Sequence, residues 1–264
     1  MNLMTNPSVN LKELIQECNL NNENKLLPLF HTIPTTAQLF DILNSKKLKS
    51  NYCDVFEQEL LYFFYGRASY TDKDRMNDAR NHSYPFTFVF DIESLPKDPI
   101  RMFPFDSGGF PRYNIPLFRL EQFQIDCPTI SEISNYICKF FETNENYLAN
   151  NLRINPSDHV TCLILKPLSL LYEAYKKQFS QEFGDQAFTL EIQYCQVELD
   201  LQPKAFILPA GLFSGKKARE DWQKHFPITT IIPYLDADTH NDVLYREMQK
   251  TVLSYINENY SHKK

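Results

Sequence analysis

Short runs of apolar residues predict strands in the first half of the chain. Leu29–Ile33 is an apolar run that ends at Pro34, and residues 60–65 form an unbroken apolar and aromatic run of strand length. Residues 85–92 alternate between apolar and polar positions, which is typical of a strand with two different faces. We therefore expect each of these segments to be a strand.

Two further strands are predicted later in the chain. Residues 188–199 alternate around apolar positions such as Leu190 and Ile192. Residues 205–208 form a second, shorter apolar run. We expect the two segments to be adjacent strands.

Apolar residues at helical spacing predict helices at both ends of the chain and between the strands. Two of these helices begin at a capping box, in which a threonine is followed three residues later by Gln or Glu. The boxes are Thr35 with Gln38 and Thr129 with Glu132. The predicted helices are a peripheral N-terminal helix over residues 11–18, residues 35–47, residues 130–142 and a C-terminal helix over Asn241–Asn259.

Residues 96–116 are dominated by proline, glycine and aromatic residues, and this composition predicts an ordered irregular loop. Within it, residues 103–110 place Gly108 and Gly109 between aromatic side chains. Our first interpretation is a structural turn. The alternative is a substrate or lid loop, since binding groups concentrate on loops that a rigid scaffold holds.

Composition narrows the class of protein. Of the 264 residues, 43% are hydrophobic and 14% are aromatic, which supplies enough apolar surface for one α+β domain spanning residues 1–264. The chain contains only six glycines, and neither the dinucleotide-binding nor the P-loop glycine pattern occurs. The order of elements therefore predicts a mixed fold without those two nucleotide-binding loops.

Cysteine spacing, hydropathy and charge predict the compartment and exclude some partners. The six cysteines form no C-x-x-C pair and no zinc-type spacing, so we expect them to be reduced and mostly buried. No segment has the length of a membrane span, and the N-terminus lacks the pattern of a signal peptide, which predicts a cytoplasmic protein without membrane contact. The net charge of -6 argues against general nucleic-acid binding, although Lys46, Lys47 and Lys49 leave a local basic face open.

Candidate chemistry lies on three segments in order along the chain. The first strand carries His31 and Thr32, the second strand leads to Tyr70, and a late strand carries Glu191 ahead of residues 205–208. This order and spacing resembles the His-Tyr-Glu branch of the ADP-ribosyltransferase superfamily, and in particular its bacterial toxin-like members. The resemblance implies split antiparallel β-sheets with flanking helices, and NAD as a co-substrate.

The resemblance also implies a role for each residue. Cleavage of NAD leaves positive charge on the ribose, and the carboxylate of Glu191 would stabilise it. Tyr70 would stack on nicotinamide, with Tyr62 as the alternative, and the Arg67 guanidinium suits the pyrophosphate. His31 would anchor the second ribose and Thr32 would help to fix nicotinamide. The implied catalytic residues are Glu191, His31 and Tyr70, and the implied NAD-binding residues are His31, Thr32, Tyr62, Arg67 and Tyr70.

Two acidic positions leave alternatives open. Glu198 lies in a Gln-x-Glu sequence that resembles the motif of another superfamily branch, but Glu191 is favoured because the next apolar strand follows it at the expected spacing. Asp236, Asp238 and His240 would share one face of an extended segment, as metal ligands can. Capping of the helix that begins at Asn241 explains them better, so we assign no metal.

The acceptor of ADP-ribose is left open by the sequence. A protein side chain, a nucleic-acid base, a small molecule and water all fit, and water would make the protein an NAD glycohydrolase. The toxin-like resemblance implies a toxin or phage-defence role and a neutralising antitoxin protein. The alternative function is a non-catalytic module of the same fold that binds a nucleotide or protein, in which Glu191 could be replaced without consequence.

Overall fold

The structure is a computed structural model of the chain. It describes residues 10–16, 18, 26–69, 84–113, 118–154, 165–178, 189–195, 198–227, 229–236 and 241–260. These residues form a mixed α/β structure with a large, mostly antiparallel sheet and flanking helices.

The described strands are short, and the longest is β4. They are β1 Leu29–Ile33, β2 Lys47–Lys49, β3 Asn51–Cys53, β4 Gln58–Tyr65, β5 Phe86–Phe90, β6 Arg101–Phe103, β7 Ile125–Asp126, β8 Glu191–Tyr194, β9 Glu198–Asp200, β10 Ala205–Pro209 and β11 Thr230–Tyr234. The described α-helices are α1 Leu11–Gln16, α2 Thr36–Ser45, α3 Ile130–Phe141, α4 Asn144–Leu148, α5 Leu165–Gln178, α6 Lys216–His225 and α7 Asn241–Asn259.

The chain divides into two compact units. Unit 1 comprises Met1–Leu26 and Lys97–Ile192, and unit 2 comprises Leu27–Pro96 and Gln193–Lys264. The division falls within strand β8. The expectation of a single domain over residues 1–264 stays a prediction.

Unit 2 is built on a sheet in which the strand order is β11-β10-β5-β1-β4, with β3 paired to the outer part of β4. The pairs are antiparallel except for β10 and β11, which run parallel. Every residue of β1, β5 and β10 is buried. Burial on both faces explains the mostly apolar composition of these strands, and it shows that β5 does not have the two different faces expected from its sequence.

Stacked aromatic rings fill one part of the unit 2 core. The Phe206 ring on β10 stacks on that of Phe88 with the centroids 4.6 Å apart, and the rings of Trp222 and Phe226 lie 5.5 and 5.3 Å from it. Helix α6 therefore reaches the core through Trp222 and through Phe226, which directly follows the helix, while its described charged residues stay at the surface.

Helix α7 is fastened to the segment that follows β4. The Tyr245 hydroxyl donates to the carbonyl of Ala68 at 3.0 Å, and the Gln249 amide donates to the same oxygen. Met248 and Val252 bury their side chains on the same helix. The predicted C-terminal helix is therefore confirmed and holds the end of β4 in place.

Unit 1 has two helices tied together near the N-terminus. Helix α1 buries Leu11, Leu14 and Ile15 and packs against α3. A disulfide joins Cys18 to Cys138. Because α3 carries Cys138, this bond fastens the N-terminal segment to the helix.

The prediction of reduced and mostly buried cysteines is wrong for several of them. Cys18 and Cys138 are bonded, and Cys127 and Cys195 are exposed. The bonded pair is separated by 120 residues, so no local spacing pattern could reveal it. Cys162 lies outside the described residues.

Both predicted capping boxes begin helices. The Thr35 side chain accepts a hydrogen bond from the Gln38 backbone N–H, and Thr129 and Glu132 cap α3 reciprocally. Helix α2 ends at Lys46, which has a left-handed backbone conformation with φ 57°. Local sequence signals therefore located the helix starts correctly.

The prediction that Glu191 and residues 205–208 lie on adjacent strands is wrong. Strand β10 has β5 on one side and β11 on the other. Residues 188–199 form no single strand, since β8 and β9 are separate. Strand β9 pairs with β2, where Glu198 faces Lys49 and Asp200 faces Lys47, and opposite charges across the pair favour it.

The segment at residues 96–116 is more regular than predicted. It contains strand β6 and a 3-10 helix over Ser107–Tyr113. In the part of the chain that the structure describes, no helix combines the length and apolar character that crossing a lipid bilayer requires.

Candidate functional site

Glu191 is the most tightly held of the predicted catalytic side chains. It is the first residue of β8, and only 1% of its surface is exposed. Its Oε1 accepts a hydrogen bond from the Ser107 hydroxyl at 2.6 Å, and its Oε2 accepts one from the Ser107 backbone N–H at 3.0 Å. A buried carboxylate requires such donors, since burial of a charge without partners is costly.

The turn that carries Ser107 is organised by Asp106. The side chain of Asp106 accepts a hydrogen bond from the Gly108 N–H at 3.0 Å, and its carbonyl accepts one from the Gly109 N–H at 3.0 Å. A Cβ at Gly108 would lie 3.3 Å from Asp106 Oδ1, which is a tight approach. The lack of a side chain at Gly108 therefore allows Asp106 to approach it closely in this turn.

Aromatic rings hold this turn from below. The Phe105 ring stacks on that of Phe110 with the centroids 5.7 Å apart and meets Phe123 edge-on at 5.2 Å. Both Phe105 and Phe123 are fully buried. The turn is thus part of the core of unit 1, and this agrees with the interpretation of residues 103–110 as a structural turn.

Two buried tyrosines support the backbone just before this turn. The Tyr172 hydroxyl donates to the carbonyl of Pro104 at 2.6 Å, and the hydroxyls of Tyr136 and Tyr172 lie 2.9 Å apart. Because the proton of Tyr172 is committed to Pro104, Tyr136 is the donor between the tyrosines. Burial, together with the neighbouring Tyr172, raises the pKa of Tyr136, so this donor stays protonated.

His31 lies in a different environment, in the middle of β1 in unit 2. Its Nδ1 is 2.8 Å from the carbonyl oxygen of Tyr62, and its ring lies 5.6 Å from that of Phe63. A carbonyl only accepts, so Nδ1 carries the proton and Nε2 is the acceptor of the neutral ring. Burial lowers the pKa of His31, although the bond to Tyr62 opposes this effect.

Thr32 is engaged inside unit 2. The Thr87 hydroxyl donates to the sulfur of Met248 at 3.1 Å, so the Thr32 hydroxyl is the donor across the 3.0 Å contact between the threonines. Only 6% of the Thr32 surface is exposed. Its hydroxyl therefore links β1 to β5 and α7.

The remaining predicted site residues differ in burial. Tyr62 is half-buried and supplies the carbonyl that orients His31. Arg67 follows β4 and is buried, with 3% of its surface exposed. Tyr70 lies outside the described residues. His31, Thr32, Tyr62 and Arg67 belong to unit 2, and Glu191 belongs to unit 1.

The alternative carboxylate, Glu198, lies at the surface. It is on β9, and its Oε2 is 2.5 Å from Lys47 Nζ. The hydrogen bond from Lys47 lowers the pKa of Glu198. An exposed ion pair on a two-stranded sheet is an ordinary surface feature.

In the acidic segment before α7, the described residue Asp236 has a structural role. Asp236 accepts hydrogen bonds from the Gly211 N–H at 3.1 and 3.0 Å, so it closes the turn at Ala210–Phe213. Asp238 and His240 lie outside the described residues. Within the residues that are described, no group of three or more His, Cys, Asp or Glu side chains could hold a metal ion.

One cleft of unit 2 contains none of the predicted site residues. It lies between α7 and the strands β10 and β11 and has a volume of about 440 Å³. Its walls include Lys204, Thr230, Ile232, Lys250 and Ser254. Basic, acidic, hydroxyl and apolar groups are mixed in its lining.

Ser107 was not among the predicted site residues, although Gly108 and Gly109 of the same turn stand out in the sequence. Ser107 and Glu191 are 84 residues apart, so their contact follows from tertiary structure alone. No protein-family model, curated protein or solved structure matches the chain.

Proposed function

We propose that the protein is an ADP-ribosyltransferase that uses NAD as co-substrate, with Glu191 as the catalytic carboxylate. The observation that supports this most is the buried Glu191 side chain, whose two oxygens are held by the hydroxyl and the N–H of Ser107. A carboxylate oriented in advance stabilises developing positive charge better than a mobile one. The proposal includes the arrangement of split antiparallel sheets with flanking helices.

In the proposed reaction, the bond between C1 of the ribose and the nicotinamide nitrogen breaks, and its electron pair leaves with neutral nicotinamide. The ribose then carries positive charge, which Glu191 stabilises. A nucleophile forms the new bond to C1 and loses its proton to solvent. No oxidation or reduction takes place.

His31 supports the proposal by its protonation state. Its Nδ1–H is donated to the Tyr62 carbonyl, so Nε2 carries the lone pair of the neutral ring. In the proposed complex, Nε2 accepts a hydrogen bond from a ribose hydroxyl. The pKa of His31 is lowered by burial, which keeps the ring neutral near neutral pH. The proposed NAD-binding residues are His31, Thr32, Tyr62, Arg67 and Tyr70.

The acceptor and the biological role are further parts of the proposal. Protein side chains or nucleic acid are the proposed acceptors, and transfer to water would give an NAD glycohydrolase. A toxin or phage-defence role in the cytoplasm, with an antitoxin protein as partner, fits this chemistry.

The test is nicotinamide release from NAD by purified protein, with cellular protein or nucleic acid as acceptors. Glu191→Gln keeps the size of the side chain but removes its charge, and we expect release to fall about 100-fold or more. Glu198→Gln is the matched control, because it removes an exposed carboxylate from β9. Equal loss in both variants, or loss only with Glu198→Gln, would reject Glu191 as the catalytic residue.

A second candidate is a non-catalytic module that binds a nucleotide or protein. The observation in its favour is the 1% exposure of Glu191, since a carboxylate used to anchor a turn needs no access to a ligand. This function predicts no nicotinamide release by the wild-type protein with any acceptor. It also predicts that NAD or a nucleotide binds without being cleaved.

A further inference from the structure

We infer that Ser107 is a positioning residue that fixes the carboxylate of Glu191 for catalysis. This inference rests on the proposed function, in which Glu191 is the catalytic residue. Ser107 lies on a different element, the 3-10 helix at Ser107–Tyr113, and its contact with Glu191 brings this turn to the first residue of β8.

The geometry of the contact restricts the carboxylate more than one hydrogen bond would. The terminal torsion of a glutamate is broad, so a single donor leaves the carboxylate plane free to turn. Ser107 donates to both oxygens, from its hydroxyl at 2.6 Å and from its N–H at 3.0 Å. These two bonds together define the orientation of the carboxylate plane.

The donors themselves are fixed by their surroundings. Ser107 is fully buried, and the turn around it is closed by the hydrogen bonds of Asp106 to Gly108 and Gly109. The ring of Phe105 is packed between Phe110 and Phe123 directly before this turn. A serine held in this way can position a catalytic group without moving itself.

Strand β8 is also held at its start. The Leu190 N–H donates to the Tyr147 hydroxyl at 3.0 Å, which fixes the backbone next to Glu191. Backbone and side chain of Glu191 are thus restrained by separate partners, Tyr147 and Ser107. Removal of the serine hydroxyl alone should change the carboxylate orientation more than the position of the strand.

The experiment compares Ser107→Ala with Ser169→Ala in nicotinamide release. Ser169, on α5 of the same unit, has a buried hydroxyl that hydrogen-bonds to no described residue, so its loss controls for removing a buried hydroxyl. We expect kcat of Ser107→Ala to fall about 10- to 100-fold, because the lost bond is made to a charged group. KM for NAD should stay within about twofold, since in this proposal Ser107 acts through Glu191 and not on the substrate.

A second variant, Ser107→Cys, keeps a side chain of similar size with a weaker donor. We expect its kcat to lie between those of wild type and Ser107→Ala, at unchanged thermal midpoint. This variant keeps the test decisive if Ser107→Ala folds poorly. A purely structural role would change the thermal midpoint, and kcat would not fall in steps as the donor weakens.

The outcomes separate the two levels of the proposal. Loss of release in Glu191→Gln with full activity in both Ser107 variants would overturn the positioning role and leave Glu191 catalytic. An equal fall in Ser169→Ala and Ser107→Ala would also overturn it. Absence of release from folded wild-type protein with every acceptor would overturn the proposed function and the positioning role together.

Discussion

The two units hold their candidate site residues in opposite ways. In unit 1, both oxygens of Glu191 accept hydrogen bonds from Ser107, and the Tyr172 hydroxyl donates to the Pro104 carbonyl in the same loop. In unit 2, the His31 ring lies 5.6 Å from that of Phe63, and its Nδ1 donates to a backbone partner, the Tyr62 carbonyl. A charged carboxylate requires donors when it is buried, whereas a neutral imidazole tolerates apolar surroundings.

The difference extends to what stabilises each unit. Unit 1 contains a covalent bond between Cys18 and Cys138 and a buried hydroxyl pair, Tyr136 with Tyr172. The core of unit 2 includes the aromatic rings packed around Phe206. Loss of the disulfide should therefore affect unit 1 most, and loss of the Phe206 ring should affect unit 2 most.

The largest expected effect comes from Cys18→Ser. The disulfide closes a loop with a sequence separation of 120 residues, and its loss should lower the free energy of unfolding by about 5 kcal/mol. We expect hydrogen exchange to rise in α3, which carries Cys138, and in α1, which ends shortly before Cys18. Denaturant unfolding in oxidising buffer, combined with segment-resolved exchange, measures both changes.

Two controls define that result. Cys195→Ser removes an exposed free thiol and should leave stability unchanged. A reducing agent should bring the wild type to the stability of Cys18→Ser, because both then lack the bond. If exchange rose first in β5 and β10 of unit 2, the assignment of the disulfide to the stability of unit 1 would be wrong.

Phe206→Ala should produce the next largest effect, and in the other unit. Phe206 is fully buried and contacts Phe88, Trp222 and Phe226, so truncation should lower the free energy of unfolding by about 3–5 kcal/mol. Exchange should rise in β5, β10 and α6. Phe206→Leu, which retains much of the apolar volume, should lose less.

The stability loss in Phe206→Ala must be independent of redox conditions if the disulfide and the aromatic core stabilise different units. Wild type and Phe206→Ala should differ by the same amount with and without reducing agent. A difference that shrinks on reduction would mean that the disulfide and the aromatic core act as one stabilising system, against the contrast drawn between the units.

Local features of the fold were predictable from sequence, while distant contacts were not. Strand β1 and the caps at Thr35 and Thr129 depend on neighbouring residues, and the structure has them where the pattern predicts. The predicted adjacency of Glu191 to residues 205–208 was wrong, because strands that follow each other along a chain need not pair. Pairing of β9 with β2 depends on lysines about 150 residues earlier.

In the candidate site, too, the sequence predicts individual residues but not the distant contacts between them. The residue types at His31 and Glu191 could be singled out from order and spacing, and both are buried in the structure. Ser107 could not, since an Asp-Ser-Gly-Gly turn has many uses and its contact with Glu191 spans 84 residues. Only the fold brings a donor of this kind to a particular carboxylate.

The smallest expected effect is a pH dependence that arises from His31. Its folded pKa is lowered by burial, so below the ordinary histidine value of about 6.5 the unfolded chain binds a proton that the folded chain does not. The free energy of unfolding should therefore fall as the pH drops through about 6.5, by up to about 1.4 kcal/mol between about pH 7.5 and about pH 5.5. Denaturant unfolding at both pH values measures this loss.

His31→Asn isolates that contribution, because the Asn amide can replace Nδ1 as donor to the Tyr62 carbonyl but does not titrate. The variant should lose less stability than wild type over the same pH interval. Reduction of the disulfide should leave this difference unchanged, since His31 and the disulfide belong to different units. Equal pH dependence in wild type and His31→Asn would show that other groups titrate on unfolding, and that burial of His31 in its aromatic surroundings costs the folded state nothing in this range.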